Sequence, residues 1–326
     1  MATLYLDRSG IELRPQGRAL GIFENDRYCR SVPLNLLERV VVAAPTSLST
    51  GLIAWLARHG VSLVILSRVE GRAACLMGGP LGDAKRRLAQ YRAYCNPQWR
   101  RRWSVRLVRA KIAAQARTLR RLLRARSDQK QALAEALEQV LRLGREVNGA
   151  ETASLMGIEG AAAAAYFRGL ATVFPPALGF QGRNRRPPRD PVNACLSLCY
   201  TLAHWDAVQA VHAAGLDPHL GFYHEPAWNR ESLACDLIEP LRPRLDEWVW
   251  EMFRQRTLRS EHFRTVRGAC LLGKAGRRIF YEAHEALACR SRRRLRRLGQ
   301  LLVRVLETEF GEKAVRETGS NEEPVS

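Results

Sequence analysis

Three segments of the sequence place carboxylate or imidazole groups in otherwise apolar surroundings, where they could take part in catalysis. In the first, Glu159 lies between Gly157 and the alanine run 161–165, a composition typical of helices that pack closely. Burying an unpaired carboxylate in such a place is costly, so a metal ion or an arginine is expected to accompany it. The sequence alone does not decide between a metal ion and an arginine.

The second segment, 215–224, is rich in glycine and proline and predicts a loop that ends at His224. A histidine in this position could bind a metal ion. The alternative is an exposed loop histidine with no role in catalysis.

The third segment carries two carboxylates, Asp236 and Glu239. Ser232 is expected to cap a helix, which places both carboxylates on one face because they are three residues apart. Neighbouring carboxylates repel each other unless a cation or a proton lies between them. Salt bridges to Arg242 and Arg244 would also satisfy them.

These residue types fit phosphodiester chemistry. Mg²⁺ and Mn²⁺ prefer hard oxygen ligands, and histidine is an additional ligand for Mn²⁺. A site of this kind would bind Mg²⁺ or Mn²⁺ beside the scissile phosphate. The catalytic candidates are therefore Glu159, His224, Asp236 and Glu239.

The chain carries a large excess of positive charge. It has 52 Lys and Arg residues against 32 Asp and Glu residues, a formal net charge of +20, which indicates a polyanionic partner such as DNA or RNA. The segment from Trp99 to Arg126, both included, has eleven Lys or Arg residues and no acidic residue, and six Arg lie within 290–297. Arginine contacts phosphate bidentately, although any single cluster could be a solvated face. The DNA-binding candidates are Arg120, Arg121, Arg183, Arg185, Arg186 and Arg293.

Positioning these groups requires two kinds of structure. Over residues 1–82, short apolar alternations predict a β-rich domain with one helix, which begins after Ser49 and ends at Gly60. Over residues 83–310, long helical periods predict a larger all-α domain, and residues 311–326 are expected to form a flexible tail. The predicted strands are 3–6, 11–13, 28–34, 39–42, 61–66 and 72–77, and the predicted helices of the larger domain are 83–147, 151–173, 191–214, 232–256 and 279–309. The fold class is therefore α+β.

The sequence argues against a membrane or secreted protein. No run approaches ~20 apolar residues, and the first residues lack the basic and apolar regions of a signal peptide. The eight cysteines include no Cys-x-x-Cys pair, which favours reduced thiols. We therefore expect a cytoplasmic protein with no membrane partner.

Several segments, taken in order along the chain, resemble the Cas1 family, the CRISPR spacer-acquisition integrases. The glutamate motif is Met156–Gly160 with Tyr166-Phe167, and the histidine and carboxylate motifs are Gly221–His224 and Ser232–Pro243. Further similar segments are Val32–Thr50, Gly79–Arg92 and Asp190–Ala194. Each motif is weak alone, and the ordered set is specific.

The resemblance implies an N-terminal β-sandwich-like domain that mediates homodimerisation, followed by an all-α catalytic domain. It implies a metal site made by Glu159, His224 and Glu239, with Asp236 assisting. It also implies double-stranded DNA as the substrate, both as captured fragment and as CRISPR array. The implied protein partner is a Cas2 dimer that bridges two Cas1 dimers in a 4:2 complex, and whether a Cas4 protein joins is left open.

In this interpretation the 3′-hydroxyl of a captured fragment attacks a phosphodiester at the repeat boundary, so the protein needs no nucleophile of its own. Two other functions are compatible with the same residues. A metal-dependent nuclease for branched DNA in repair would use the same site. A non-enzymatic nucleic-acid-binding scaffold would need only the basic clusters.

Overall fold

The computed structural model describes residues 2–66, 73–76, 84–184 and 187–311. Contacts between residues divide the chain into two compact units, residues 1–81 with 274–290 and residues 82–273 with 291–326. The grouping of residues 274–290 with the first unit is a difference from the sequence prediction. The boundary expected at residue 82 lies outside the described residues, as does the expected tail beyond Gly311.

The first unit contains two β-sheets and one helix. Its elements are β1 (Ala2–Leu6), β2 (Ile11–Gln16), β3 (Ala19–Glu24), β4 (Arg27–Pro33), β5 (Leu37–Val42), α1 (Thr50–Arg58), β6 (Ser62–Leu66) and β7 (Ala73–Leu76). One sheet has the order β1-β5-β6-β7, with parallel pairing except between β6 and β7. The other is antiparallel, in the order β2-β3-β4.

Both sheets and α1 share one hydrophobic core. Leu4 of β1, Leu20 of β3 and Leu52 of α1 belong to a single cluster of buried side chains. Strand β3 is absent from the predicted strands because Leu20, Gly21 and Ile22 are buried in succession and show no alternation. The two sheets form the expected sandwich-like arrangement, and the α+β class is confirmed.

The second unit is mainly helical. Its elements are α2 (Ala84–Cys95), α3 (Pro97–Ala125), α4 (Lys130–Glu146), α5 (Thr152–Ala171), α6 (Pro191–Ala213), α7 (Ser232–Ile238), α8 (Arg242–Arg254), β8 (Phe263–Val266), β9 (Ala269–Leu272) and the later part of α9 (Lys274–Phe310). The antiparallel β8–β9 hairpin is an addition to the predicted helices. None of the helices in the described stretches combines the length and the apolar composition needed to cross a membrane.

Side-chain caps define where the long helices begin. Asn96 accepts a hydrogen bond from the backbone N–H of Trp99 at the start of α3 (2.9 Å), and Asp190 accepts one from Asn193 at the start of α6 (2.8 Å). A proline follows each cap, where its fixed φ suits the first helical turn. The stretch 83–147, predicted as one helix, is therefore interrupted first at Asn96.

Candidate active site

Asp236 is the buried centre of the site. It lies fully buried in α7 and accepts hydrogen bonds from the backbone N–H groups of Phe222 (2.7 Å), Tyr223 (3.0 Å) and His224 (3.0 Å). Its Oδ1 also accepts from Nδ1 of the His224 ring (2.7 Å). Because a carboxylate can only accept, Nδ1 carries the hydrogen, and Nε2 keeps its lone pair in the neutral ring. One side chain thus orients both the loop and the imidazole.

The start of α7 differs from the sequence prediction. Ser232 is the first residue of the helix rather than its cap, and Glu231 occupies the cap position, where its side chain accepts no hydrogen bond from the first helical turn. The Ser232 hydroxyl donates instead to the backbone carbonyl of Glu225 (3.0 Å). The predicted cap is therefore wrong, and the serine connects the helix to the loop that follows His224.

Aromatic packing holds the loop from the other side. The buried Phe222 ring lies edge-to-face against Trp99 and Trp103 of α3, with centroid separations of 4.7 and 5.9 Å. The hydroxyl of Ser104 donates to the Phe222 carbonyl (3.3 Å). The two tryptophans lie within the basic stretch of the sequence, but they serve to anchor the loop that carries His224.

The loop is packed too tightly for a side chain at Gly221. A Cβ there would lie 2.7 Å from the backbone carbonyl carbon of Ser232 and 2.8 Å from the backbone oxygen of His224. We expect Gly221→Ala to displace the loop and to lower the free energy of unfolding by roughly 1–3 kcal/mol, measured by denaturant unfolding. Gly51→Ala in α1 is the control, since a Cβ there meets no atom within 4 Å. An unchanged unfolding free energy in Gly221→Ala would contradict this packing.

Glu159 and Glu239 lie on either side of one ammonium group. Nζ of Lys111 in α3 forms ion pairs with Glu159 of α5 and with Glu239, which directly follows α7. The Glu239 side chain also pairs with Arg242 (3.0 Å) and is 6% exposed, against 20% for Glu159. Burial opposes ionisation of Glu239, but the charges of Arg242 and Lys111 outweigh it and lower the pKa of the carboxyl to about 2. Glu239 is therefore a carboxylate at neutral pH.

Arg242 connects the site to the core of the second unit. Its guanidinium carbon lies 4.7 Å from the centroid of the Tyr200 ring, and the Tyr200 hydroxyl donates to Asp246 of α8. Tyr166 of α5 donates to the other oxygen of Asp246 (3.0 Å). Burial raises the pKa of Asp246 to about 6, although both hydrogen bonds act in the opposite direction. The salt bridge to Arg242, one of the alternatives open for the carboxylate pair, is thus present and firmly held.

The four predicted catalytic residues share one neighbourhood. Burial raises the pKa of the Tyr223 hydroxyl, and the negative charges of Glu159, Glu239 and Asp236 raise it further. An electrostatic interaction with His224 is among the causes of the lowered pKa of Glu239. Glu159 comes from α5, His224 from the loop before α7, and the two other carboxylates from α7 and the residue that follows it. What the four residues bind stays a prediction.

The donor set suits a hard divalent cation. Two carboxylates and an imidazole nitrogen are ligands for Mg²⁺ or Mn²⁺, and a metal-bound histidine usually donates its other N–H to a carboxylate, as His224 does to Asp236. The two glutamates already share one cation, the Lys111 ammonium. In the part of the chain that the structure describes, no three His, Cys, Asp or Glu side chains are placed so that they could hold a metal ion together.

The surroundings of Glu159 differ from the prediction. Close helix packing was expected there, but a Cβ at Gly157 or Gly160 would meet nothing within 4 Å, and both glycines are exposed. Close packing occurs further along α5, where a Cβ at Gly169 would lie 2.6 Å from Ala136 of α4. Glycine inside an exposed helix costs about 1 kcal/mol relative to alanine. Packing therefore gives no reason for the two glycines beside Glu159.

Three of the predicted DNA-binding arginines lie on α3 and α9. Arg120 and Arg293 are exposed. Arg121 forms a two-pronged ion pair with Glu247 (2.7 and 2.5 Å), which also pairs with Arg244 (3.0 Å). The charge of Arg121 is therefore largely neutralised within the chain.

The other three candidates belong to the proline-containing sequence segment 183–189, which precedes α6. Arg183 is partly buried and donates to the side chains of Asn193 (2.7 Å) and Ser197 (3.0 Å) in α6. These contacts give Arg183 a structural role in holding the loop. Arg185 and Arg186 lie outside the described residues.

One face of α3 forms a basic groove, which the sequence pattern does not distinguish from the wider basic cluster. The groove has a volume of about 530 Å³ and is lined by Gln98, Arg101, Arg102, Val105, Arg106, Arg109 and Asn148. Spacings of three and four residues bring the helical members to one face. Neither Arg106 nor Arg109, both exposed, forms an ion pair with another described residue. We call this surface the α3 groove.

Known proteins place the chain in a family. The model of the family described as CRISPR associated protein Cas1 matches residues 4–286. The chain belongs to this family. A CRISPR-associated endonuclease Cas1 from Thermodesulfovibrio yellowstonii is 35% identical over 87% of this chain and 91% of its own length. A Cas4 exonuclease/Cas1 endonuclease fusion from Rhodospirillum rubrum is 37% identical over 86% of this chain and 50% of its own length.

Solved structures show the same fold. The structure of a Cas1 protein from Thermotoga maritima has a TM-score of 0.80 at 20% identity, covering 95% of this chain and 97% of that one. A casposase bound to integration product has a TM-score of 0.76 at 21% identity, covering 93% of this chain and 91% of that one. A chain of a Cas6-RT-Cas1–Cas2 complex has a TM-score of 0.81 at 20% identity, covering 95% of this chain and 35% of that one. The resemblance to Cas1 is therefore confirmed in sequence and in fold.

Proposed function

We propose that this Cas1 protein is a divalent-metal-dependent integrase that inserts DNA fragments into a CRISPR array. The proposal rests on one observation, the imidazole of His224 held by Asp236 beside two carboxylates, Glu159 and Glu239, that share a cation. Relatives named as Cas1 endonucleases support it, as do similar folds described as bound to an integration product or as part of a Cas1–Cas2 complex.

The proposed reaction exchanges one phosphodiester bond for another. The 3′-oxygen of the fragment forms a bond to the phosphorus at the repeat boundary, and the bond from that phosphorus to the 3′-oxygen of the array strand breaks. The fragment hydroxyl loses its proton, and the departing oxygen gains one. Because one ester replaces another, neither an external energy source nor a nucleophile from the protein is required.

The chain's own residues divide the work at this site. Glu159, Glu239 and Nε2 of His224 would hold the metal, Mg²⁺ or Mn²⁺, which when bound would supply Lewis acidity beside the phosphate. Each oxygen of Asp236 already accepts two hydrogen bonds, so we assign Asp236 to orienting His224 rather than to metal binding. Arg242 restrains Glu239.

The α3 groove is our proposed contact surface for DNA phosphates. Its arginines can contact phosphate bidentately, and those contacts give affinity without reading sequence. Replacing both Arg106 and Arg109 with alanine is expected to weaken DNA binding roughly tenfold at moderate salt. The slope of log affinity against log salt concentration should fall by about 2, measured by fluorescence anisotropy with a labelled duplex.

The matched control for the groove replaces Arg121 and Arg254 with alanine. It removes the same charge from arginines that are paired with Glu247 and with Glu251. We expect this control to change the affinity by less than about twofold, since paired exposed charges contribute little. An equal loss in both double variants would show that net charge matters and the groove does not.

The assembly we propose follows the family. The first unit would mediate homodimerisation, and a Cas2 dimer would bridge two Cas1 dimers in a 4:2 complex that acts on double-stranded DNA in the cytoplasm. The similarity to a Cas4–Cas1 fusion makes a Cas4 protein a further candidate partner. The molar mass of the complex formed with the Cas2 partner, measured by light scattering, would test the stoichiometry.

The deciding experiment combines the protein with its Cas2 partner, a labelled DNA fragment and a supercoiled plasmid that carries the array, in Mg²⁺ or Mn²⁺. The proposed function predicts fragments joined at the repeat boundary. Cleavage of branched DNA without joining would favour the repair nuclease, and binding without either reaction would favour the scaffold.

A further inference from the structure

Lys111 lies between the two carboxylates that the proposed function assigns to the metal. Its side chain is 14% exposed, and its Nζ pairs with Oε1 of Glu159 and Oε2 of Glu239. It extends from the long helix α3, which packs directly against α5. The ammonium is therefore a built part of the site rather than a surface group.

An ammonium group and a divalent cation cannot both occupy the space between the carboxylate oxygens of Glu159 and Glu239, because two positive charges at contact distance repel strongly. Entry of a metal ion therefore requires that Lys111 withdraw. Withdrawal would leave a mostly buried ammonium group without a counter-charge. This is unfavourable unless an anion forms a new ion pair with the ammonium. A phosphate of the DNA is an anion that the proposed reaction brings to this place.

We propose that Lys111 is a positioning residue that makes metal binding depend on DNA. Without DNA, its ammonium holds Glu159 and Glu239 together and competes with the divalent cation. With DNA, a phosphate oxygen accepts hydrogen bonds from the ammonium group, and the carboxylates become available to the metal. The inference rests on the proposed function because it uses the same two carboxylates as ligands.

The other contacts of the two glutamates fit this exchange. Glu239 keeps a second positive partner, Arg242 at 3.0 Å, so it stays in place when Lys111 leaves. For Glu159, Lys111 is the one ion-pair partner among the described residues. Withdrawal of Lys111 thus frees Glu159 for a new cation while Glu239 remains oriented. By linkage, DNA and the metal ion then strengthen each other's binding by the same factor.

The test measures Mn²⁺ binding to the full chain by isothermal titration, with and without a short DNA duplex, after subtraction of Mn²⁺ binding to the duplex alone. The variants are Lys111→Met, Lys111→Gln and, as a matched control, Lys130→Met, which removes an exposed lysine of α4. Lys111→Gln keeps a hydrogen-bond donor for the carboxylates, so one neutral variant is available if the other fails to fold.

Without DNA, both Lys111 variants are expected to bind Mn²⁺ at least about tenfold more tightly than the wild type and the control. The duplex should strengthen Mn²⁺ binding to the wild type at least about fivefold and to the Lys111 variants less than about twofold. Equal Mn²⁺ affinity in the wild type and a folded Lys111 variant would overturn the inference. The proposed metal site would survive that result if Glu159→Gln still abolishes Mn²⁺ binding, whereas no Mn²⁺ binding by the wild type under any condition would overturn the proposed function itself.

Discussion

Glu159→Gln is expected to slow strand transfer at least about 100-fold while it changes DNA affinity, measured without divalent metal, by less than about twofold. The amide preserves the size of the side chain and removes the charge that a divalent cation requires. DNA affinity comes mainly from arginine contacts with phosphate, which this substitution leaves intact. Initial rates of fragment joining to a supercoiled array, together with anisotropy for DNA binding, would check both values.

The control for this prediction is Glu151→Gln, which lies at the start of the same helix and is exposed. It removes the same charge about two helical turns away and should leave the joining rate unchanged. His224→Ala is expected to abolish joining as Glu159→Gln does. Joining at the wild-type rate by either site variant would refute the site assignment.

Asp236→Asn is expected to damage both stability and activity. Four N–H groups donate to the two oxygens of Asp236, and an asparagine offers only one oxygen and turns an NH₂ group toward two of those donors. We expect the free energy of unfolding to fall by roughly 2–3 kcal/mol because buried donors lose their acceptor. Strand transfer should fall about 10–100-fold, since the orientation of His224 is no longer imposed.

A matched control for Asp236→Asn is available in the preceding loop. Asp217 accepts hydrogen bonds from the backbone N–H of His219 (2.9 Å) and from the hydroxyl of Tyr91 (3.3 Å), and its side chain is 29% exposed. Asp217→Asn should therefore change the unfolding free energy by less than about 1 kcal/mol. If Asp236→Asn proved as mild as this control, Asp236 would not be the residue that organises the His224 loop.

The position of the site residues could be predicted in part from local sequence. The helical period around Glu159, the glycine-rich loop before His224 and the spacing of Asp236 and Glu239 are all local features. The structure brings the four into one neighbourhood, and their joint role as a metal site stays a prediction. Local patterns also predicted most elements, and they missed β3, where three successive buried residues hide the alternation of a strand.

Contacts between residues far apart in the sequence could not be predicted from local patterns. Lys111 looks like one basic residue among eleven, and only the packing of α3 on α5 puts it against Glu159, 48 positions away. Trp99 and Trp103 belong to the same basic stretch, yet they pack against Phe222 and position the loop. Arg183 carries the same charge as the other arginines, but its guanidinium donates to the side chain of Asn193 within the chain.

By itself, the sequence determined the α+β class, the cap of α1 at Ser49, whose hydroxyl accepts from the backbone N–H of Leu52, and the chemical types of the catalytic candidates. The tertiary structure alone decided which cation stands between Glu159 and Glu239, and that Asp236 serves His224. The physical reason is that periodicity and capping depend on neighbours within a few residues, whereas the pairing of buried charges depends on which helices pack together. Identical arginines or glutamates thus acquire different roles only after folding.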